Sequence, residues 1–172
     1  IKAIKEVVDL PLIGLVKRDY PDSDAYITPT MKEVEEVVNA GADIVAIDAT
    51  DVPKPYGKTT EELISDIRDK FDIIILADVS TYEEAVKAEE AGAHMVSTTL
   101  SGYTPHSPQL EGPDFDLIEK AARDLDIPVI GEGRIWVPEE AKQALDLGAY
   151  AVVVGSAITR PREITRRFVS KI

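Results

Sequence analysis

Six short apolar runs alternate along this chain with six stretches of helical period, and no other feature of the sequence restricts the fold as much. The runs, rich in Val, Ile, Ala and Leu, lie near 12–16, 43–47, 72–77, 94–98, 127–131 and 150–154. The helical stretches follow near 30–40, 59–70, 81–91, 114–124, 138–147 and 161–170. Near-continuous apolar runs are expected of parallel strands covered on both faces. Strand-then-helix repetition makes an α/β fold with right-handed crossovers. The helix ends agree. Ala40-Gly41-Ala42-Asp43, Ala91-Gly92-Ala93-His94 and Leu147-Gly148-Ala149-Tyr150 repeat one device: a glycine just past a helix, then a strand. Thr59-Thr60-Glu61-Glu62 and Ser80-Thr81-Tyr82-Glu83 read as N-caps with acidic first turns.

No linker or low-complexity tract divides the chain, so residues 1–172 are expected to form a single β/α domain. Successive strand runs start roughly 28 residues apart. Two more units of that length would give about 230 residues, within the range of a TIM (β/α)8 barrel. The expected architecture is a phosphate-binding barrel of which six of eight βα units are present. The first eight residues read as helix, which places a β-α-β segment upstream of Ile1 and makes the domain N-terminally incomplete. The rival architecture is an open, doubly wound six-stranded sheet. An open barrel would leave two strand edges and core surface exposed, and should dimerise or aggregate.

Nineteen Lys and Arg against 32 Asp and Glu give a net charge of −13. That argues against nucleic acid as a partner, since phosphate neutralisation needs a basic surface. It leaves room for a small phosphate ligand, which needs only a few local cations. No run approaches the ~20 apolar residues of a membrane span. No signal peptide is visible in the sequence. The absence of cysteine excludes thiolate chemistry and fits a reducing cytoplasm. With two separated histidines and no cysteine, a histidine-rich or thiolate metal site is not expected.

Barrel active sites lie at the C-terminal ends of the strands, which turns the sequence into a short set of candidates. Val129-Ile130-Gly131-Glu132-Gly133-Arg134 and Val152-Val153-Val154-Gly155-Ser156-Ala157 are adjacent strand–glycine units, each followed by a helix that opens with proline. Gly133, Gly155 and Ser156 form the candidate phosphate cradle, with Arg134 and Arg160 as nearby cations. Lys17 follows an apolar run directly. Desolvation at a dry barrel rim, with Arg18 beside it, would lower its pKa toward that of a useful base. Glu132, flanked by glycines, is expected to point into the site. Asp48 and Asp78 end successive strands and could accept hydrogen bonds from sugar hydroxyls, or cap the following loops. Thr98 ends the fourth strand. His94 falls at the opposite end of the barrel, His106 lies in a long loop that reads as a flap, and Trp136 reads as packing.

At these residues the chain resembles the bacterial N-acetylmannosamine-6-phosphate 2-epimerases. The resemblance runs nearly end to end, through Val16-Lys17-Arg18-Asp19-Tyr20-Pro21-Asp22-Ser23, Tyr26-Ile27-Thr28-Pro29-Thr30, Ile47-Asp48-Ala49-Thr50, Ala77-Asp78-Val79-Ser80-Thr81, Thr98-Thr99-Leu100-Ser101-Gly102-Tyr103-Thr104, Gly131-Glu132-Gly133-Arg134 and Gly155-Ser156-Ala157-Ile158-Thr159-Arg160-Pro161. It implies a TIM barrel, usually dimeric, that interconverts N-acetylmannosamine 6-phosphate and N-acetylglucosamine 6-phosphate in sialic acid breakdown. It implies no redox or metal cofactor. The family's catalytic lysine and glutamate match Lys17 and Glu132, and its substrate-orienting aspartate and arginine match Asp78 and Arg160. A family glutamine on the first strand and an arginine on the second have no counterpart here. The alternatives are another phosphate-binding barrel isomerase or synthase, or a non-catalytic phosphosugar-binding fragment.

Overall fold

A computed structural model describes residues 1–172. Six parallel strands form one sheet: β1 (Ile13–Gly14), β2 (Ile44–Asp48), β3 (Ile74–Asp78), β4 (Met95–Ser97), β5 (Val129–Glu132) and β6 (Ala151–Val153). The helices are α1 (Lys2–Lys5), α2 (Met31–Asn39), α3 (Thr60–Lys70), α4 (Tyr82–Ala91), α5 (Phe115–Asp124), α6 (Pro138–Asp146), α7 (Ser156–Thr159) and α8 (Pro161–Val169). Every apolar run and helical stretch expected from the sequence has its element. The largest trims are at β1, reduced to two residues, and at the N-terminus, where only four residues are helical. The capping devices are real. Thr59 with Glu62 and Thr81 with Glu84 form reciprocal capping boxes, and Gly92 ends α4 at φ 96°.

The strand order is 1-2-3-4-5-6. A doubly wound sheet reverses its order at a switch point, so this sequential order rules that architecture out. The six units present do not close into a cylinder: β1 pairs only with β2, and β6 only with β5. Closure needs about eight strands at a suitable tilt, and six leave two edges. The sheet is nonetheless strongly curled. In a flat sheet five spacings of about 4.8 Å would hold β1 and β6 about 24 Å apart. Instead, the residues just beyond both strands line one cleft. The chain is therefore an open half-barrel.

Its two faces differ as the period of two requires. On the outer face Val45, Ile47, Ile75, Ala77, Val96 and Val129 pack beneath the helices, against residues such as Val34, Leu63, Ile67 and Ala85. Truncating one of these large buried residues to alanine costs about 2–5 kcal/mol. The inner face begins with a small apolar layer of Ile44, Ala46, Leu76 and Ile130. Two residues further along the strands, that same face becomes polar. Asp48 is in register with Asp78, Asp78 with Ser97, and Glu132 with Val153. A polar layer at the C-terminal ends of the strands, set on an apolar floor, is the platform of the site.

Candidate active site

Lys17 lies just beyond β1, where the chain turns back on itself. The Arg18 N–H donates to the Tyr26 carbonyl at 2.9 Å and the Thr28 N–H to the Val16 carbonyl at 2.7 Å. This places the Tyr26 ring beneath the Lys17 ammonium, 5.4 Å from nitrogen to centroid. From there the cleft, about 290 Å³, runs past Thr99, Tyr103 and Glu132 to Gly133, Arg134, Trp136, Gly155, Ser156 and Arg160. A larger cavity of about 420 Å³ beside the start of α3 contains none of the candidate catalytic residues. The site is thus defined by its side chains and not by its size. Lys17 is exposed, contrary to the expectation of a dry rim, because β1 is a two-residue edge strand with a neighbour on one side only.

Glu132 ends β5. Its backbone is clamped by Thr98, whose hydroxyl donates to the Glu132 carbonyl at 2.8 Å and accepts from the Glu132 N–H at 3.0 Å. Thr98 is therefore a backbone brace, buried away from the cleft, and the hydroxyl that faces the cleft is that of Thr99. Burial raises the Glu132 carboxyl above its ordinary pKa, against the hydroxyls of Thr99 and Ser97 and the charge of Lys17, which pull it down. Asp78 lies deeper, 2% exposed, and accepts a hydrogen bond from the Thr99 hydroxyl at 2.8 Å. Burial pushes its carboxyl well above the usual range. The nearby Glu132 and Asp48 carboxylates add to this, while Thr99 and Lys17 oppose it.

Three other candidates are differently placed. Arg18 turns to α2, where its guanidinium pairs with Glu33 at 2.6 Å and Glu36 at 3.2 Å, so it is not the cation beside Lys17. Asp48 is tied to its own loop: its Oδ1 accepts from the Thr50 hydroxyl at 2.7 Å and from the buried Lys54 ammonium at 3.0 Å. It lines an adjoining cavity of about 310 Å³ that shares Tyr26 and Tyr103 with the main cleft. Arg134 lines the cleft, but its side chain donates to the Gly112 carbonyl at 2.6 Å and the Ser101 carbonyl at 2.5 Å. It binds both ends of the 101–112 loop. The turn Gly133-Arg134 has φ 107° and 55°, and the second is unusual for a residue with a side chain.

Ser97, Thr99, Tyr26, Tyr103, Trp136 and Lys54 were not assigned site roles from sequence. The period of two on β4 gives a usable signal for Ser97 and Thr99 once Met95 is placed on the inner face. Nothing in sequence separates Lys54 from a solvated lysine. His94 sits at the opposite end, accepting from the Ile75 N–H at 3.0 Å. His106 contacts the buried Glu84 at 2.8 Å. No cluster of three or more His, Cys, Asp or Glu residues capable of holding a metal ion is present. No helix is long and apolar enough to cross a membrane.

Residues 1–172 match the NanE family model, described as "Putative N-acetylmannosamine-6-phosphate epimerase". A protein of Caldanaerobacter subterraneus subsp. tengcongensis named "Putative N-acetylmannosamine-6-phosphate 2-epimerase" is 60% identical over 173 residues, spanning 100% of this chain and 73% of the relative. One of the same name from Clostridioides difficile is 51% identical over 169 residues, 98% of this chain and 75% of the relative. The solved N-acetylmannosamine-6-phosphate 2-epimerase of Clostridium perfringens superposes with a TM-score of 0.95 at 51% identity, over 99% of this chain and 74% of that one. A mutant of FabK from Thermotoga maritima superposes at 0.64 with 21% identity, over 90% of this chain and 47% of that one, a likeness of fold alone. The end-to-end match and the shared half-barrel place the chain in the NanE family of N-acetylmannosamine-6-phosphate epimerases.

Proposed function

We propose that this chain is an isomerase that interconverts N-acetylmannosamine 6-phosphate and N-acetylglucosamine 6-phosphate by removing and returning the proton on C2. The observation that carries this reading is one cleft holding an amine, Lys17, and a partly desolvated carboxyl, Glu132, with Gly155, Ser156 and Arg160 at its other end. In the open-chain sugar C2–H is acidic because it adjoins the C1 aldehyde. The neutral amine of Lys17 takes that proton, and the electron pair of the C–H bond moves into an enolate. Glu132 supplies a proton to the opposite face of C2 and inverts it. Asp78 and Arg160 orient the sugar and its substituents. The substrate phosphate sits on the backbone of Gly133, Gly155 and Ser156, and the binding energy of that remote group positions C2.

Arg134 acts in this scheme by shaping the phosphate end of the cleft. Thr98 acts by holding the Glu132 backbone. Asp48 reaches the substrate from the adjoining cavity. The half-barrel corresponds to six of the eight βα units of a complete barrel. A place in amino-sugar breakdown, a cytoplasmic location and a homodimeric state fit the same reading. The test is C2 proton exchange in heavy water with either phosphosugar. The unaltered chain should incorporate deuterium at C2, and Lys17→Ala should abolish it. Exchange retained in the variant removes Lys17 from the mechanism.

A further inference from the structure

Beneath the cleft, two carboxyls and two hydroxyls lie in one line. Asp78 Oδ1 is 2.8 Å from Thr99 Oγ1, Thr99 Oγ1 is 2.7 Å from Ser97 Oγ, and Ser97 Oγ is 3.5 Å from Glu132 Oε2. Three links need three protons, and each hydroxyl owns only one. With both carboxyls ionised, one link has no proton and two acceptor oxygens face each other. When all three links are hydrogen bonds, the third proton sits on a carboxyl at one end of the line. On Asp78, it points the whole chain of donors toward Glu132. On Glu132, it points the chain toward Asp78. Moving each proton by one link converts the first arrangement into the second. The Ser97–Glu132 link is longer than a relaxed O–H···O bond, as catalytic hydrogen bonds often are before substrate binds.

We propose that Ser97 and Thr99 form a relay through which Asp78 and Glu132 share one proton, so that a proton held on Asp78 reaches Glu132 before Glu132 protonates C2. This rests on the reading of Glu132 as the acid of the epimerisation. Burial supports the sharing at its inner end, where Asp78 and Ser97 are nearly inaccessible, while Thr99 and Glu132 border the cleft. The groups around it come from several elements. Lys17 faces it from the end of β1 and Asp48, ion-paired with Lys54, from β2; Tyr26, Tyr103, Arg134 and Arg160 border the cleft above. Both carboxyls are held above their ordinary pKa, chiefly by burial, which favours a proton retained between them.

The proton count closes. Lys17 removes one proton from C2 and Glu132 gives one to its other face. Before that transfer the Ser97 hydroxyl proton passes to Glu132, that of Thr99 to Ser97, and that of Asp78 to Thr99. Lys17 ends as an ammonium and both Asp78 and Glu132 as carboxylates, and exchange with water takes the proton from Lys17 and returns one to the pair. Ser97 and Asp78 act through Glu132 and in this role are positioning residues.

The test is infrared spectroscopy of the full chain with 13C-labelled Asp and Glu, alongside pH–rate profiles. The unaltered chain should show one protonated carboxyl at neutral pH. Thr99→Val, which keeps shape and removes the hydroxyl, should shift that band, lower kcat on the order of a hundredfold and leave KM nearly unchanged. It should also displace the acidic limb of the kcat profile. Thr99→Ser should keep the band and most of kcat, and Ser97→Ala should behave as Thr99→Val. Absence of the band, an unmoved pH profile in Thr99→Val, or equal losses in Thr99→Val and Thr99→Ser would each overturn the relay. The infrared readout needs no turnover. An unaltered chain that shows the shared proton without epimerising would sink the functional reading and leave the relay standing.

Discussion

Asp78 is a charge the native state would sooner hold as a neutral acid. Its carboxyl titrates well above the ordinary 3.8 because it is buried beside Glu132 and Asp48. The folded chain therefore binds more protons than the unfolded one between 3.8 and the raised value. Its contribution to stability is present below the unfolded pKa and is lost as pH rises through the folded one. Asp78→Asn should remove that loss. Thermal melts at alkaline pH should show the variant more stable by several degrees, since ~1 kcal/mol moves Tm by about 2–4 °C at this size. The same substitution should abolish turnover. Lys54 makes the opposite case. Its side chain is wholly inaccessible and holds Asp48 at 3.0 Å. Lys54→Met strands a buried carboxylate and should cost about 3–5 kcal/mol in chemical denaturation. A cost below 1 kcal/mol would mean that Asp48 finds another partner.

The 101–112 loop is an element without regular structure, yet it is anchored at several points. Arg134 holds the Ser101 and Gly112 carbonyls, and Ser101 donates to Asp114 at 2.6 Å. Within the loop, His106 reaches Glu84 on α4 and Thr104 donates to Ser80 at 2.9 Å. Arg134→Met should loosen both ends. Hydrogen exchange across 101–112 should accelerate while the strands keep their protection, and KM should rise more than kcat falls. Glu84 sets a pH limit on the same region. Burial raises its carboxyl, but the N–H groups of Asp51 and Ser80, the Ser80 hydroxyl and His106 outweigh burial and leave it below 4.5. That contribution to stability is full above 4.5 and is lost as pH falls through the lower folded value. Glu84→Gln should flatten the acid limb of a stability–pH curve and leave the alkaline limb unchanged.

At the largest scale, β1 and β6 are each paired on one side only, and several large apolar side chains are exposed. Ile13, Leu15 and Ile74 are about two-fifths exposed on the sheet, and Phe168, Val169 and Ile172 far more so at the C-terminal end. Unpaired strand edges and exposed apolar groups favour association. Sedimentation should find the chain's mass rising with concentration despite its net charge of −13. Phe168→Glu should shift that equilibrium toward the single chain. A chain that stays monomeric across the whole concentration range would show that its charge outweighs its uncovered edges.

Period and punctuation in the sequence determined the element order, the parallel strands and the end of the sheet that carries the polar layer. These are local effects: alternation along a strand, a glycine beyond a helix, a threonine before one. The ordered motifs around Lys17, Asp78, Glu132 and Gly155-Ser156 were legible as well, because residues just past strand ends have few structural duties. Tertiary structure alone decided the rest. Whether six strands close depends on tilt and edge pairing, which no single strand encodes. The choice of Thr99 over Thr98 for the cleft depends on β4's register against β3 and β5. Arg18 was drawn off by two acids on α2, and Lys54 buried its charge against Asp48, through pairings distant in the chain or folded back within a loop. Those contacts exist only after the sheet has curled, so composition and spacing could name the participants but not their partners.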